Sequence, residues 1–201
     1  MSHADGRSAA FASLFSDLPL AEAYRLSDEE SKRRGMHTKA TAELDLTYGD
    51  VGFDCIARII EAVSPRPGSC FVDLGSGVGR GVLAAAVLFP FATCVGVELL
   101  SDLHEAAQEP ARRFGQLRAR LESGEAVAQD GLHAERMACS IELRNGDLFE
   151  HSLAGASAEG ILVFVCCVTW STPIMQRLAQ KLGDELNAIE QVVVRTQGRR
   201  A

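Results

Sequence analysis

Apolar positions fall into a regular pattern from Asp50 onward. Phe53, Ile56, Ile60 and Val63 recur at spacings of three and four, which predicts an amphipathic helix that Pro65, Pro67 and Gly68 end. Cys70-Phe71-Val72 predicts a short buried strand that runs into Asp73-Leu74-Gly75-Ser76-Gly77-Val78-Gly79. Arg80 to Leu88 has a helical pattern closed by Pro90, and Thr93 to Val97 predicts a second strand ending in Glu98. Ser101 is placed to cap a long, mostly polar helix that Pro110 is expected to kink or split. Ser123 to Arg136 is polar and reads as a loop with helical turns. Ile141 to Leu143 predicts a third strand before Asn145-Gly146-Asp147, and Ile161 to Val165 a fourth. Pro173 to Leu186 predicts a helix and Gln191 to Thr196 a fifth strand. Upstream, residues 8 to 26 carry Phe11, Leu14, Phe15, Leu18 and Leu20, enough for a short amphipathic helix, while the charged stretch Ser27 to Lys39 reads as a solvated linker.

Strands alternating with helices imply β-α-β units with right-handed crossovers. The expected fold is α/β, a doubly wound, mostly parallel sheet over residues 46–201, preceded by a helical and charged arm over 1–45. Such sheets bind ligands outside the carboxyl ends of their strands. Asp73, Glu98, Asp147 and Cys166 all fall at or just past those ends.

Composition narrows the possibilities further. At 201 residues the chain suits one domain with an arm, and it has no apolar run of the roughly 18 residues a membrane span needs. The start, Met-Ser-His-Ala-Asp-Gly-Arg, lacks a secretory pattern, so the expected location is intracellular. The net charge of −7 gives the protein as a whole no attraction to nucleic acid, but it could still attract a basic protein. Two short basic stretches, Arg112-Arg113 to Arg120 and Arg195 to Arg200, could touch DNA phosphates. In the first, Phe114, Leu117 and Leu121 share a helical face, which makes the arginines its solvated side. The six cysteines form no Cys-x-x-Cys pair and read as free buried thiols, and His104, His133 and His151 lack metal-ligand spacing, so no metal is expected.

The loop Asp73-Leu74-Gly75-Ser76-Gly77-Val78-Gly79 carries the chemistry. Its alternating glycines suit a tight strand-to-helix turn that lets the backbone approach a ligand. A dinucleotide fingerprint would need its third glycine at position 80 or 82, which are Arg80 and Val82, and the Gly-Lys-Ser/Thr of a phosphate loop is missing. Asp73 would repel a pyrophosphate and attract an amine-bearing cation. S-adenosylmethionine meets these constraints. It has no phosphate, carries a sulfonium and an α-amine, and presents two ribose hydroxyls that Glu98 is placed to accept. Asp147 is placed to accept from the adenine amine.

Four segments together extend this reading. Thr47-Tyr48-Gly49-Asp50-Val51-Gly52-Phe53-Asp54, Phe71 to Gly79, Gly96-Val97-Glu98 and Gly146-Asp147 resemble the disruptor-of-telomeric-silencing family of non-SET lysine methyltransferases, which modify the globular core of histone H3 in nucleosomes. The resemblance covers about residues 45 to 196 and is weak between Pro110 and Cys139. It implies that Tyr48, Gly49, Asp50 and Val51 close over the cofactor and that Phe71, Val72, Asp73, Leu74, Gly75, Ser76, Gly77, Val78, Gly79 and Arg80 wrap its methionine portion. It further implies that Glu98 holds the ribose and that Asp147 and Leu148 flank the adenine. Cys167 and Trp170 would stand at the methyl-transfer end, with Trp170 lining a target-lysine channel. The implied partner is histone H3 in the nucleosome, and the implied location the nucleus.

The sequence departs from the family at several points. Cys166 and Cys167 stand where an Asn-Asn pair is usual, Asp50 where Glu is usual and Leu148 where an aromatic is usual. A full fold of this class has two further strands, so the sheet is expected to lack its final hairpin. These departures keep two alternatives open: a small-molecule or non-histone methyltransferase, and a cofactor-binding relative without catalysis.

Overall fold

The computed structural model describes residues 4–35, 51–125, 132–153, 159–166, 170–186 and 191–195. Two helices, α1 (Ala4–Leu14) and α2 (Leu20–Arg33), precede α3 (Phe53–Val63). Then come β1 (Cys70–Leu74), α4 (Arg80–Leu88), β2 (Thr93–Glu98), α5 (Ser101–Glu122), a 3-10 turn (Ala134–Met137), β3 (Ser140–Asn145), β4 (Ile161–Cys166), α6 (Thr172–Glu185) and β5 (Gln191–Arg195). The strands form a five-stranded sheet in the order β3-β2-β1-β4-β5, and every pairing is parallel. The chain is a doubly wound α/β fold. Its winding reverses beside β1, which puts the ligand crevice at the carboxyl ends of β1, β2 and β4.

Alternation along the strands divides the core into two layers. Phe71, Cys94, Leu162 and Phe164 face one side, where Phe53 and Ile56 of α3 and Val82 and Leu83 of α4 cover them. Val72, Leu74, Val95, Val97, Val163 and Val165 face the other, against Leu178 of α6. Strands covered on both faces lose the polar alternation of surface strands, which is why β1 and β4 read as apolar runs. Each fully buried side chain of this size contributes about 1.5–3 kcal/mol.

Three expectations need correction. Ser27 to Lys39 is not simply a solvated linker. The chain up to Arg33 continues α2, with Ser27, Glu30 and Ser31 buried. Its charges are matched within the helix, Arg25 to Glu22 and Glu29, and Lys32 to Asp28, so a charged run here is a helix with i,i+3 and i,i+4 pairs. The upstream apolar residues likewise join the main core, where Phe11, Leu14, Phe15 and Ala23 are buried. Second, Pro110 neither splits nor ends α5, which runs from Ser101 to Glu122. Proline removes one intrahelical donor, and burial of the Pro110 ring offsets that loss. Third, Ser101 is not the cap of α5. Leu100 holds that position, and the helix start is capped from outside by Glu30, which accepts from Ser101 N at 2.9 Å and Asp102 N at 2.7 Å.

One glycine fixes how closely β2 meets the loop after β1. A Cβ on Gly96 would lie 2.7 Å from Ser76 Oγ and 2.9 Å from Val82 Cγ2, and both neighbours are buried. Gly96→Ala therefore overpacks this contact and is expected to lower unfolding free energy by about 2–3 kcal/mol, read as a lower urea midpoint at unchanged m-value.

Candidate functional site

The loop between β1 and α4 is built from left-handed glycines. Gly75, Gly77 and Gly79 have φ of 86°, 55° and 80°, a region that other residues enter only with strain. The amides of Gly75 and Ser76 both donate to Val97 O, at 2.9 and 3.0 Å, and Gly77 N donates to Glu98 Oε2 at 2.7 Å. The loop is thus laced to the end of β2. Leu100 N donates to the other Glu98 oxygen at 2.8 Å, so a single buried carboxylate ties the glycine loop to the turn that starts α5. Burial pushes Glu98 above the usual carboxylate range, although hydrogen bonds from Leu100, Gly77 and Leu99 pull against it. The carboxylate retains capacity for a further donor.

Asp73 lies on the same face of the sheet, in register with Gly96 on the neighbouring strand. Its carboxyl packs on Gly81 at the start of α4, where an added Cβ would come within 2.3 Å of Oδ2. Asp73 is buried, and its Oδ1 has no hydrogen-bond partner among the described residues. Burial and the nearby Glu98 push its pKa to about 8. A buried acceptor without a donor costs about 1–3 kcal/mol, an arrangement that persists where a ligand supplies the missing partner.

At the end of β3, Asn145 Nδ2 and Gly146 N donate to Glu98 O, each at 2.9 Å. Asp147 Oδ1 accepts from Phe149 N at 2.9 Å, closing a turn that holds the half-buried Asp147 and Leu148 beside the β2 end. From the other half of the sheet, Trp170 reaches the loop. Its Cζ2 lies 3.6 Å from the position a Cβ on Gly75 would occupy, and Gly75 is the exposed residue of the loop. Residues from the ends of β1, β2, β3 and β4 therefore converge around one crevice.

The remaining expected site residues divide between core and surroundings. Phe71 and Val78 are buried in the layer covered by α3 and α4, as is Val51, while Val72 and Leu74 point to the opposite layer. Arg80 turns away toward α1, its guanidinium carbon 4.5 Å from the Phe15 ring centre and 5.3 Å from that of Phe11. Tyr48, Gly49, Asp50 and Cys167 lie outside the described residues. Cys166 is half-buried at the end of β4, and like Cys55, Cys70, Cys94 and Cys139 it is not in a disulfide. Burial raises Cys70 to about 11, which keeps it protonated at neutral pH. Among the described residues no group of three or more His, Cys, Asp or Glu could hold a metal, and no helix is long and apolar enough to cross a membrane. Arg112 and Arg113 of α5 are paired with Glu109, and Arg113 also with Asp17.

Comparison with known proteins adds a family match over part of the chain. Residues 36–124, which hold the glycine loop and Glu98, match the family described as Histone methylation protein DOT1. This segment, less than half of the chain, is similar to that family. A histone-lysine N-methyltransferase of Drosophila melanogaster, H3 lysine-79 specific, is 39% identical over 51 residues, which cover 25% of this chain and 3% of that protein. The chain thus corresponds to a very small part of that relative. Among solved structures, an RNA methyltransferase from Salinibacter ruber in complex with S-adenosyl-L-homocysteine is similar over 76% of this chain and 82% of its own, at 24% identity and TM-score 0.48. An S-adenosyl-L-methionine-dependent methyltransferase, described as putative, from Methanococcus maripaludis is similar over 88% and 63%, at 16% identity and TM-score 0.48. Asp147, Trp170 and the β4–β5 half of the sheet lie beyond the matched segment.

Sequence reasoning missed Glu30 and the Arg80–phenylalanine stack. Both join α1 or α2 to the site-bearing elements, and neither has a local motif, because the partners lie some 70 residues apart in the chain.

Proposed function

We propose that this chain is an S-adenosylmethionine-dependent lysine methyltransferase of the DOT type, and that its acceptor is a lysine in the globular core of histone H3 presented by the nucleosome. The observation that carries the reading is Asp73, a buried carboxyl with an unpartnered oxygen directly below a DOT1-family glycine loop. That geometry suits the α-amine of the cofactor. Glu98, held by amides on both oxygens, has acceptor capacity left for a ribose hydroxyl. Asp147 and Leu148 would flank the adenine, and the Tyr48-Gly49-Asp50-Val51 segment would cover the ligand. When bound, the cofactor supplies an electrophilic methyl group on a sulfonium.

The protein's own contribution is to position, to exclude water and to deprotonate the acceptor. Trp170 beside Gly75 would form an apolar wall for the incoming lysine. A desolvated channel lowers lysine pKa, so the amine arrives neutral, and holding it about 3 Å from the methyl carbon in line with the breaking bond supplies most of the acceleration. A histone acceptor also suits the net charge of −7, and the reading implies work in the nucleus. One feature favours a second reading, a smaller acceptor at the same cofactor site: a thiol, Cys166, ends β4 where the family has a hydrogen-bonding amide.

The test is incubation of the full chain with methyl-labelled S-adenosylmethionine and reconstituted nucleosomes. Label on H3, lost in Asp73→Asn, is the expected result. Cofactor binding without label on any histone contradicts the acceptor, and label on small metabolites instead supports the second reading.

A further inference from the structure

The end of α2 grips the start of α5 with a set of polar contacts that the cofactor reading leaves unused. Glu30 is 2% exposed although it carries a carboxylate. Its Oε1 accepts from Ser101 N at 2.9 Å and Ser101 Oγ at 2.8 Å, and its Oε2 accepts from Asp102 N at 2.7 Å. Arg34 completes the cluster, 2.5 Å from Glu30 Oε1 and 3.1 Å from Ser101 Oγ, while Arg33 pairs with Asp102 at 2.6 Å. Burial works against the charge on Glu30, but the Asp102 and Ser101 donors and Arg34 outweigh it and hold the group ionised, below the usual carboxylate range. A buried carboxylate on the free amides of a 22-residue helix also meets the positive end of the helix dipole.

The gripped residues are directly continuous with the site. Ser101 follows Leu100, whose amide donates to Glu98 Oε1, and the other Glu98 oxygen accepts from Gly77 in the glycine loop. The connection runs from Glu30 through Ser101 and Leu100 to Glu98 and then Gly77. Rotation of the α5 start would carry Leu100 N with it and release one of the amides that fix the Glu98 carboxylate. Glu30 also precedes residue 36, where the DOT1-family match begins, so the grip comes from chain outside the matched segment.

We propose that Glu30 is a positioning residue of the cofactor site: by clamping the start of α5 it fixes Glu98 in the orientation that receives the ribose. This rests on the cofactor reading for the identity of the ligand, but not for the coupling itself. Loss of Glu30 should therefore disturb the Glu98 contacts in the ligand-free protein, and should weaken ligands through their nucleoside half.

Two measurements on the full chain separate these levels. Amide hydrogen exchange of ligand-free Glu30→Ala and Glu30→Gln should show Leu100 and Gly77 exchanging at least tenfold faster in the alanine variant, with smaller changes in the glutamine variant and β1 amides unchanged. If Ser101 and Asp102 alone speed up, Glu30 is only a helix cap and the proposal is overturned. Calorimetric titration then compares S-adenosylhomocysteine with 5′-methylthioadenosine, which keeps the ribose and adenine but lacks the amino-acid portion. Glu30→Ala should weaken both by the same factor, about tenfold, with partial recovery in Glu30→Gln. Unchanged affinities well below the melting temperature overturn the proposal. Should the unaltered protein bind neither ligand, the cofactor reading fails, and the exchange result still decides whether Glu30 positions Glu98.

Discussion

Asp73→Asn is expected to leave the fold intact, weaken S-adenosylmethionine about 100-fold and remove methyl transfer. The substitution keeps shape and removes charge at the carboxyl whose Oδ1 lies buried without a partner. A charge-assisted hydrogen bond in such a place is worth about 1.5–3 kcal/mol, and 100-fold corresponds to about 2.7 kcal/mol. Ligands without the α-amine, such as 5′-methylthioadenosine, should bind the variant as they bind the unaltered chain. The pH dependence gives a second signature. In the folded protein the Asp73 pKa stands at about 8 against 3.8 for the free side chain. The folded state therefore holds this proton more tightly than the unfolded chain does. The group's contribution to stability is full below about pH 4 and is lost progressively as pH rises toward 8. Asp73→Asn should flatten that decline and raise the thermal midpoint at pH 8, while an amine-bearing ligand should release the Asp73 proton on binding at pH 7. A variant that is more stable at pH 8 yet loses the ligand is the combination expected of a functional rather than a structural carboxylate.

Glu98→Ala should do the reverse to stability and the same to binding. The carboxylate accepts from Gly77 N at 2.7 Å and Leu100 N at 2.8 Å and is buried, so its removal leaves those amides without partners. Each such loss costs about 1–3 kcal/mol. Unfolding free energy should fall by about 2–4 kcal/mol, and affinity for every ribose-bearing ligand by more than 100-fold, measured at a temperature where the variant is folded. Glu98→Gln retains acceptor oxygen on one side and should be intermediate in both. A variant with unchanged affinity would remove Glu98 from the site and leave it as a strut of the glycine loop.

Most of the sheet could be read from the chain. β1, β2 and β4 are buried on both faces, and their apolar runs with glycine or acidic ends carry a strong local signal. The glycine loop was equally legible, because positive φ at Gly75, Gly77 and Gly79 is a backbone demand that the sequence must meet at each position. What could not be read depends on partners far apart in the chain. Residues 27–33 carry polar and charged side chains that give no hint of burial, yet Glu30 is nearly inaccessible because its donors come from α5. Arg80 sits next to the glycine loop in sequence, but Phe11 and Phe15 draw its guanidinium toward α1. Pro110 follows the same logic, since its place inside α5 depends on what its ring packs against rather than on helix propensity. Within the site, the acids were legible from their place at strand ends. The approach of Trp170 to Gly75 was not, because it joins residues almost a hundred positions apart in the chain.

The central claim is that Asp73, Glu98 and the glycine loop form a seat for S-adenosylmethionine. Calorimetric titration of the full chain with S-adenosylmethionine at pH 7, run in two buffers of different ionisation enthalpy, tests it most directly. The account predicts one site per chain and a buffer-dependent heat that reports proton release from Asp73, absent in Asp73→Asn. A folded chain that takes up no ligand, or binds it with no dependence on Asp73 or Glu98, would contradict it.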